Sequence, residues 1–370
     1  MRLSDLKAGT GTKQTLLLPV TSPYPIQMTV ICGNHPGKTL VVTAGVHGCE
    51  YVGIEALRSL GNELEPDNLS GRMILLPLVN PEGFYHGAKQ IIPADGQNLN
   101  RMFPGSKEET FSSQLAKVLE ETLYPETDFL MDLHGGDVNE ALTPLIFFPT
   151  AVPEKLATQS ALAAAALSVP YRVASTSKNG LYSWAAQCGI PALLVERGER
   201  GLWSKEEVTA CKHNVYEMME HLGMLSVSQA TDNQQEQTSL RTKAFSRPTE
   251  INDSRSAEAH SEQTEVRDAL YAEAPSEQTE IRETLYAEAP SDGFWYPAMK
   301  KAGKTVPKGA LLGTLNDVSG KEIFRCIAPF DGVILYFTLS LGVKSGDPLV
   351  AFGRLERSEE HTSELQSPCK

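Results

Sequence analysis

His47 and Glu50 stand three residues apart at the end of the apolar run Val41-Val-Thr-Ala-Gly-Val-His-Gly-Cys-Glu50. Imidazole nitrogen and carboxylate oxygen are both ordinary zinc ligands, and a catalytic zinc takes three protein ligands and leaves one position for water. The pair reads as half of a metal site whose third ligand comes from elsewhere. A second apolar run, Asp128-Phe-Leu-Met-Asp-Leu-His134, ends in a histidine followed by two glycines that let backbone or substrate approach closely. A third, Ile190-Pro-Ala-Leu-Leu-Val-Glu196, ends in a carboxylate where a buried strand should finish, and a charge there needs a reason. In the polar segment Asp95-Gly-Gln-Asn-Leu-Asn-Arg-Met-Phe-Pro-Gly105, Asn100 sits beside Arg101. A planar fork of donors next to an amide matches a carboxylate.

These groups need elements to hold them. Residues 39–46, 72–79, 128–133 and 191–195 are near-continuous Val, Leu and Ile, as in strands covered on both faces. Helical patterns fall between them at 51–60, 111–123, 154–167 and 205–222. The alternation predicts an α/β fold with a mixed, largely parallel sheet and helices on both sides. Sites in such sheets assemble at the carboxyl ends of the strands, where His47, His134 and Glu196 all stand.

The motifs His47-Gly-Cys-Glu50, Asn98-Leu-Asn-Arg-Met-Phe-Pro-Gly105, Asp132-Leu-His134 and Pro191-Ala-Leu-Leu-Val-Glu196 resemble, in this order, the succinylglutamate desuccinylase and aspartoacylase family of the zinc carboxypeptidase clan. The resemblance runs from about residue 15 to 353 with one interruption. It implies a zinc-carboxypeptidase-like α/β/α sandwich and one zinc ion per chain, held by His47, Glu50 and His134. It further implies Asn100 and Arg101 as binders of a substrate carboxylate, and Glu196 as general base. The implied reaction is removal of an acyl group from a small carboxylate-bearing substrate, an N-acyl amino acid. Activated water and oxyanion stabilisation would come from zinc, and Glu196 would take the water's proton and pass it to the leaving amine. The histidines should each donate their other ring nitrogen to an acceptor, with Asp132 a candidate.

One departure stands out. Family members often carry an arginine shortly before the Asn-Leu-Asn-Arg segment, whereas Ala88-Lys-Gln-Ile-Ile-Pro-Ala94 has none. Lys89 offers a point charge without the planar fork. A different acyl group, an ester or weak catalysis would each fit that loss. A carboxypeptidase on short peptides and a non-catalytic ligand-binding homologue remain the alternatives.

Composition narrows the classes. The net charge of −13 argues against phosphate-backbone binding, and no stretch is long and apolar enough to span a membrane. The six cysteines show neither disulfide nor zinc-ribbon spacing, and the start lacks a signal-like run, so a cytoplasmic location is expected. Cys49, between two candidate ligands, is expected to pack away from the metal.

The hydrolase domain is expected over 1–225 and an acidic linker over 226–291, where 13 acidic residues face 6 basic ones. Within it Ser261-Glu-Gln-Thr-Glu-Val-Arg-Asp-Ala-Leu-Tyr-Ala-Glu-Ala-Pro275 is followed at once by Ser276-Glu-Gln-Thr-Glu-Ile-Arg-Glu-Thr-Leu-Tyr-Ala-Glu-Ala-Pro290. Two short acidic copies read as transient helices in a disordered tether, whose removal should leave stability and activity intact. From 292 to 356, glycine-punctuated short strands predict a small β domain resembling a biotinyl or lipoyl-like barrel. In the resembling family a domain there flanks the active-site mouth and admits small substrates. Residues 357–370 read as the translation of a sequencing adapter and are set aside.

Overall fold

Leu40, Val42 and Ala44 pack into one apolar cluster and Val41 into another, so a single strand feeds two cores on opposite faces of its sheet. This is the physical meaning of the unbroken apolar runs: alternate side chains point to opposite faces, and both are covered. The computed structural model describes residues 9–20, 22–225 and 278–355, which fall into two compact units divided between 280 and 281.

The first unit runs β1 (Thr12–Leu17), β2 (Gln27–Cys32), β3 (His35–Ala44), α1 (Tyr51–Glu63), β4 (Ser70–Leu76), α2 (Pro81–His86), α3 (Phe111–Leu123), β5 (Phe129–His134), β6 (Glu140–Leu142), β7 (Leu145–Pro149), α4 (Glu154–Ala165), β8 (Tyr171–Ser175), α5 (Leu181–Gln187), β9 (Ala192–Glu196) and α6 (Lys205–His221). Its sheet has the order β1-β2-β4-β3-β5-β9-β7-β8, extended at its end by β10 (Thr279–Ile281). The central four strands β4, β3, β5 and β9 are mutually parallel, so their carboxyl ends share one edge. Antiparallel β1, β2 and β7 make the sheet mixed. Residues of α1, α4 and α6 contribute to one core and residues of α3 and α5 to the other, giving the α/β/α layering. No helix of the described residues is long and apolar enough to cross a membrane.

The second unit begins at 281, eleven residues before the expected 292. It contains β11 (Thr284–Glu288), β12 (Gly293–Pro297), β13 (Thr305–Val306), β14 (Leu311–Asn316), β15 (Glu322–Ile327), β16 (Gly332–Thr338), β17 (Gly342–Val343) and β18 (Pro348–Arg354). They pair as two antiparallel sheets, β11-β18-β16-β13 and β15-β14-β12-β17. Trp295, Phe337 and Phe352 are its largest fully buried side chains.

The second repeat copy corrects the tether reading: from Gln278 onward it forms β10 and β11. Gln278 points its amide nitrogen at the carbonyls of Ala164, Leu167 and Val169, and Glu280 pairs with Arg172. Within the second unit Ile281 is wholly buried, Glu283 pairs with Arg354, and Thr284 to Glu288 are laddered to β18. Composition alone reads this acidic stretch as solvated. It misses that an edge strand spends its charges at the surface while burying only Ile281, Ala287 and Ala289. The first copy, like the rest of 226–277 and the 357–370 tail, lies outside the described residues.

The duplication makes a sharp prediction. Deleting 276–290 joins the first copy to Ser291 in phase, replacing Ile281 by Val266, Glu283 by Asp268 and Thr284 by Ala269. Losing one buried methylene costs about 0.5–1.5 kcal/mol. That deletion should therefore lower the melting temperature by only a few degrees, whereas deleting 261–290 removes both strands and should cost far more. Equal melting curves for the two deletions would show that the strands add nothing.

Candidate metal centre

Alternation along the central strands sets the site. Thr43, Asp132, His134 and Glu196 share parity with Val41, Leu130 and Leu194, and so lie on the face that α3 and α5 cover. His134 and Glu196 are register partners across the parallel pair β5 and β9. His47 follows the turn at Gly45 (φ +66°), and Glu50 is the N-cap residue of α1. Gly48, between them, has no room for a side chain: a Cβ would lie 2.2 Å from the Phe84 nitrogen in α2. At Gly135 a Cβ would come within 2.2 Å of the Arg197 carbonyl, so the glycine after His134 admits backbone.

His47, Glu50 and His134 are all buried, and one ligand-type atom from each lies within 4.8 Å of the others. His47 Nδ1 is 2.7 Å from Glu50 Oε1, and His134 Nδ1 is 2.9 Å from Glu50 Oε2. Despite that short separation Glu50 Oε2 has no hydrogen-bond partner. A buried carboxylate set between two imidazole nitrogens at these distances is a donor set that fits a cation. The far side of each ring agrees. His134 Nε2 stands 3.0 Å from Asp132 Oδ2, and His47 Nε2 stands 3.1 Å from Asn98 Oδ1. If each Nε2–H donates to its oxygen, each Nδ1 is the free lone pair a metal needs. Asp132, wholly buried, also accepts the Thr43 hydroxyl at 2.6 Å.

Burial opposes charge on Glu50, but the two facing imidazoles outweigh it and hold its carboxyl down at about 2. Glu196 has the opposite environment. Burial, with Glu50, Glu140 and Asp132 nearby, pushes it up to about 8 against the pull of His134, and its Oε2 has no hydrogen-bond partner. A divalent ion beside it would favour the carboxylate and bring that value down. Next along the chain, buried Arg197 donates to Asn214 Oδ1 at 2.6 Å and to the Ser168 carbonyl at 3.2 Å, fastening the end of β9.

The Asn-Leu-Asn-Arg segment divides its labour. Asn98 holds His47 and accepts from the Asn100 backbone at 2.9 Å, capping a short 3-10 turn, Leu99–Arg101. Buried Asn100 accepts from the Leu181 backbone N–H at 2.9 Å, at the start of α5, which commits its oxygen and leaves its NH2 as the donor end. Arg101 is exposed and donates to the Asn100 carbonyl at 2.8 Å. Asn98 was not foreseen as a holder of His47; the only signal was its place in the motif. Cys49 donates its thiol to the Ala88 carbonyl and takes no part in the cluster.

A buried His–Glu–His cluster at the carboxyl edge of a three-layer sheet defines a class, α/β proteins with a candidate metal-hydrolase centre. The sequence profile described as the succinylglutamate desuccinylase/aspartoacylase catalytic domain matches residues 36–222, and the chain belongs to that family of deacylases. An N-alpha-acetyl-L-2,4-diaminobutyric acid deacetylase from Halomonas elongata is 38% identical over 100 residues, a stretch that spans 27% of this chain and 29% of that protein. A succinylglutamate desuccinylase/aspartoacylase structure from Rhodobacter sphaeroides superposes with a TM-score of 0.73 at 22% identity, covering 96% of this chain and 98% of the other. The product-bound ectoine utilization protein EutE (DoeB) from Ruegeria pomeroyi gives 0.71 at 22% identity, covering 93% and 95%. At these identities the two structures speak to the fold.

Proposed function

We propose that this protein is a zinc-dependent deacylase that hydrolyses the acyl–nitrogen bond of a small N-acyl amino acid in the reducing cytoplasm. The observation that carries the reading is the convergence of His47 Nδ1, His134 Nδ1 and an unpartnered Glu50 oxygen in a buried cluster. Zinc, when bound, supplies an activated water and polarises the acyl carbonyl. His47, Glu50 and His134 hold it, and Asn98 and Asp132 keep the two rings turned. Glu196 accepts the proton of the attacking water and returns it to the leaving amine, a role its unpartnered Oε2 suits. The Asn100 amide and Arg101 take the substrate carboxylate, which requires Arg101 to leave the Asn100 carbonyl or to share its fork.

The test is zinc content together with hydrolysis of N-acetyl, N-succinyl and longer N-acyl amino acids, with dipeptides alongside. One zinc per chain and turnover that chelation abolishes and zinc restores is the expected result. Cleavage of dipeptides alone would make the protein a carboxypeptidase. Bound zinc with no turnover on any acylated substrate would make it a binder.

A further inference from the structure

The proposed reaction leaves one buried amide without a task. Asn80 follows β4, is 1% exposed, and has both ends of its side chain in use. Its Oδ1 accepts the Gly83 N–H at 2.8 Å, capping α2, while its Nδ2 donates to the Ile91 carbonyl at 3.1 Å and to the Val46 carbonyl at 3.4 Å. One backbone donor and two backbone carbonyls fix which way the amide is turned. Its own N–H donates to the Gly45 carbonyl at 2.8 Å. Asn80 thus joins the turn that leads into His47 to the loop that follows α2.

That loop returns to His47 by a second route. Ile92, wholly buried, donates its N–H to the Gln97 carbonyl at 2.9 Å, and the next residue, Asn98, faces the His47 ring. Asn80 and Asn98 therefore grip the same candidate ligand, one through the backbone before it and one through its ring, from either end of the 91–98 segment. The Cys49 thiol meets the Ala88 carbonyl at 3.3 Å, a third tie between the same parts of the chain. Between the ties at Ala88 and Ile91 the backbone of Gln90 stands at φ +54°, in the left-handed region that a side chain disfavours. Such a conformation persists only where its neighbours are held.

We propose that Asn80 is a positioning residue: by clamping the 88–98 loop to the Val46 carbonyl, it sets the spacing between the metal ligand His47 and the carboxylate-binding pair Asn100 and Arg101. This rests on the deacylase reading and deepens it. With zinc bound, the metal's own bonds keep His47 in place, so loss of the clamp falls on the segment that binds substrate. Capping α2 is a separate duty of the same side chain, one that a serine performs without reaching Ile91.

The experiment compares Asn80→Ser with wild type in the full chain by two readouts. The first needs neither metal nor turnover: chelated protein is treated with iodoacetamide, and labelling at Cys49 and Cys211 is followed by mass spectrometry. Both thiols are buried, Cys49 under the Ala88 carbonyl and Cys211 in α6. Global unfolding exposes both, whereas a released loop exposes Cys49 alone. The ratio of Cys49 to Cys211 labelling should rise at least about fivefold in the variant, the worth of one lost hydrogen bond. The second readout is kinetic, on whichever N-acetyl or N-succinyl amino acid wild type hydrolyses. With zinc saturating, KM should rise about fivefold to tenfold while kcat stays within about twofold, because the lost interaction is binding common to ground and transition states. An unchanged labelling ratio, or a fall in kcat with KM unchanged, would overturn the proposal. Asn80→Asp, equal in shape and able to cap but not to donate, takes the place of the serine variant if that does not fold; failure of both to fold would make Asn80 structural only and sink the clamp. If wild type hydrolyses none of the panel, the deacylase reading fails, and the labelling ratio then judges the clamp by itself.

Discussion

Glu196→Gln is expected to lower kcat by about 10²–10⁴-fold, the usual worth of a positioned general base, while zinc stays at one per chain. Gln keeps the shape and loses only the proton acceptor, so metal binding, which rests on His47, Glu50 and His134, has no reason to change. A variant that lost zinc and activity together would place Glu196 among the ligands. One with full activity would move the base elsewhere. The same substitution carries a pH signature in chelated protein. Burial raises the folded pKa of Glu196 from 4.5 to about 8, so between those values the native state holds more protons than the unfolded one. Stability then falls as pH rises through that window, because the carboxyl must ionise in a buried site already crowded with acids. The Gln variant should lack that part of the slope and be the more stable of the two at pH 8. Urea melts from pH 5 to 8 measure it, and identical slopes would assign the raised pKa to another group.

Asp132→Asn is expected to weaken zinc binding by about 10–100-fold, the usual cost of removing a ligand's hydrogen-bond partner. Asp132 accepts twice, from Thr43 and from the His134 ring, and has no exposure to water to make up a lost bond. An amide offers one oxygen in place of two. If that oxygen stays with Thr43, the NH2 faces His134 Nε2 and favours the tautomer with its proton on Nδ1, the atom turned toward Glu50. The ring then arrives at the metal carrying a hydrogen. Competition against a chromogenic chelator reads the affinity. An unchanged value would mean that His134 meets the ion through its other nitrogen.

The three strand ends that hold the candidate residues, after β3 and at β5 and β9, were legible as residue types. A strand buried on both faces shows as an unbroken apolar run, and a histidine or carboxylate at its end is conspicuous because burial there is costly. The roles of Asn98 and Asn100 were less visible. In sequence the two are near neighbours in one polar segment; in space one turns His47 and the other caps α5, 81 residues away. Arg101, matched to a carboxylate by type, is spread on its neighbour's carbonyl, a local bond that only backbone geometry discloses. The acidic repeat misled for a related reason. Its alternation of charge with small apolar residues suits solvent and sheet edge equally, and the choice depends on whether β8 and β18 leave an edge for it.

By itself the sequence determined the α/β alternation, the candidate ligands and base, and the acidic duplication, because periodicity and the cost of burying charge act along the chain. The tertiary structure alone decided which oxygen each imidazole faces and that the second repeat copy is laid down as edge strand. Those outcomes depend on register between strands distant in sequence, and a shift of one residue would turn His134 and Glu196 to the opposite face.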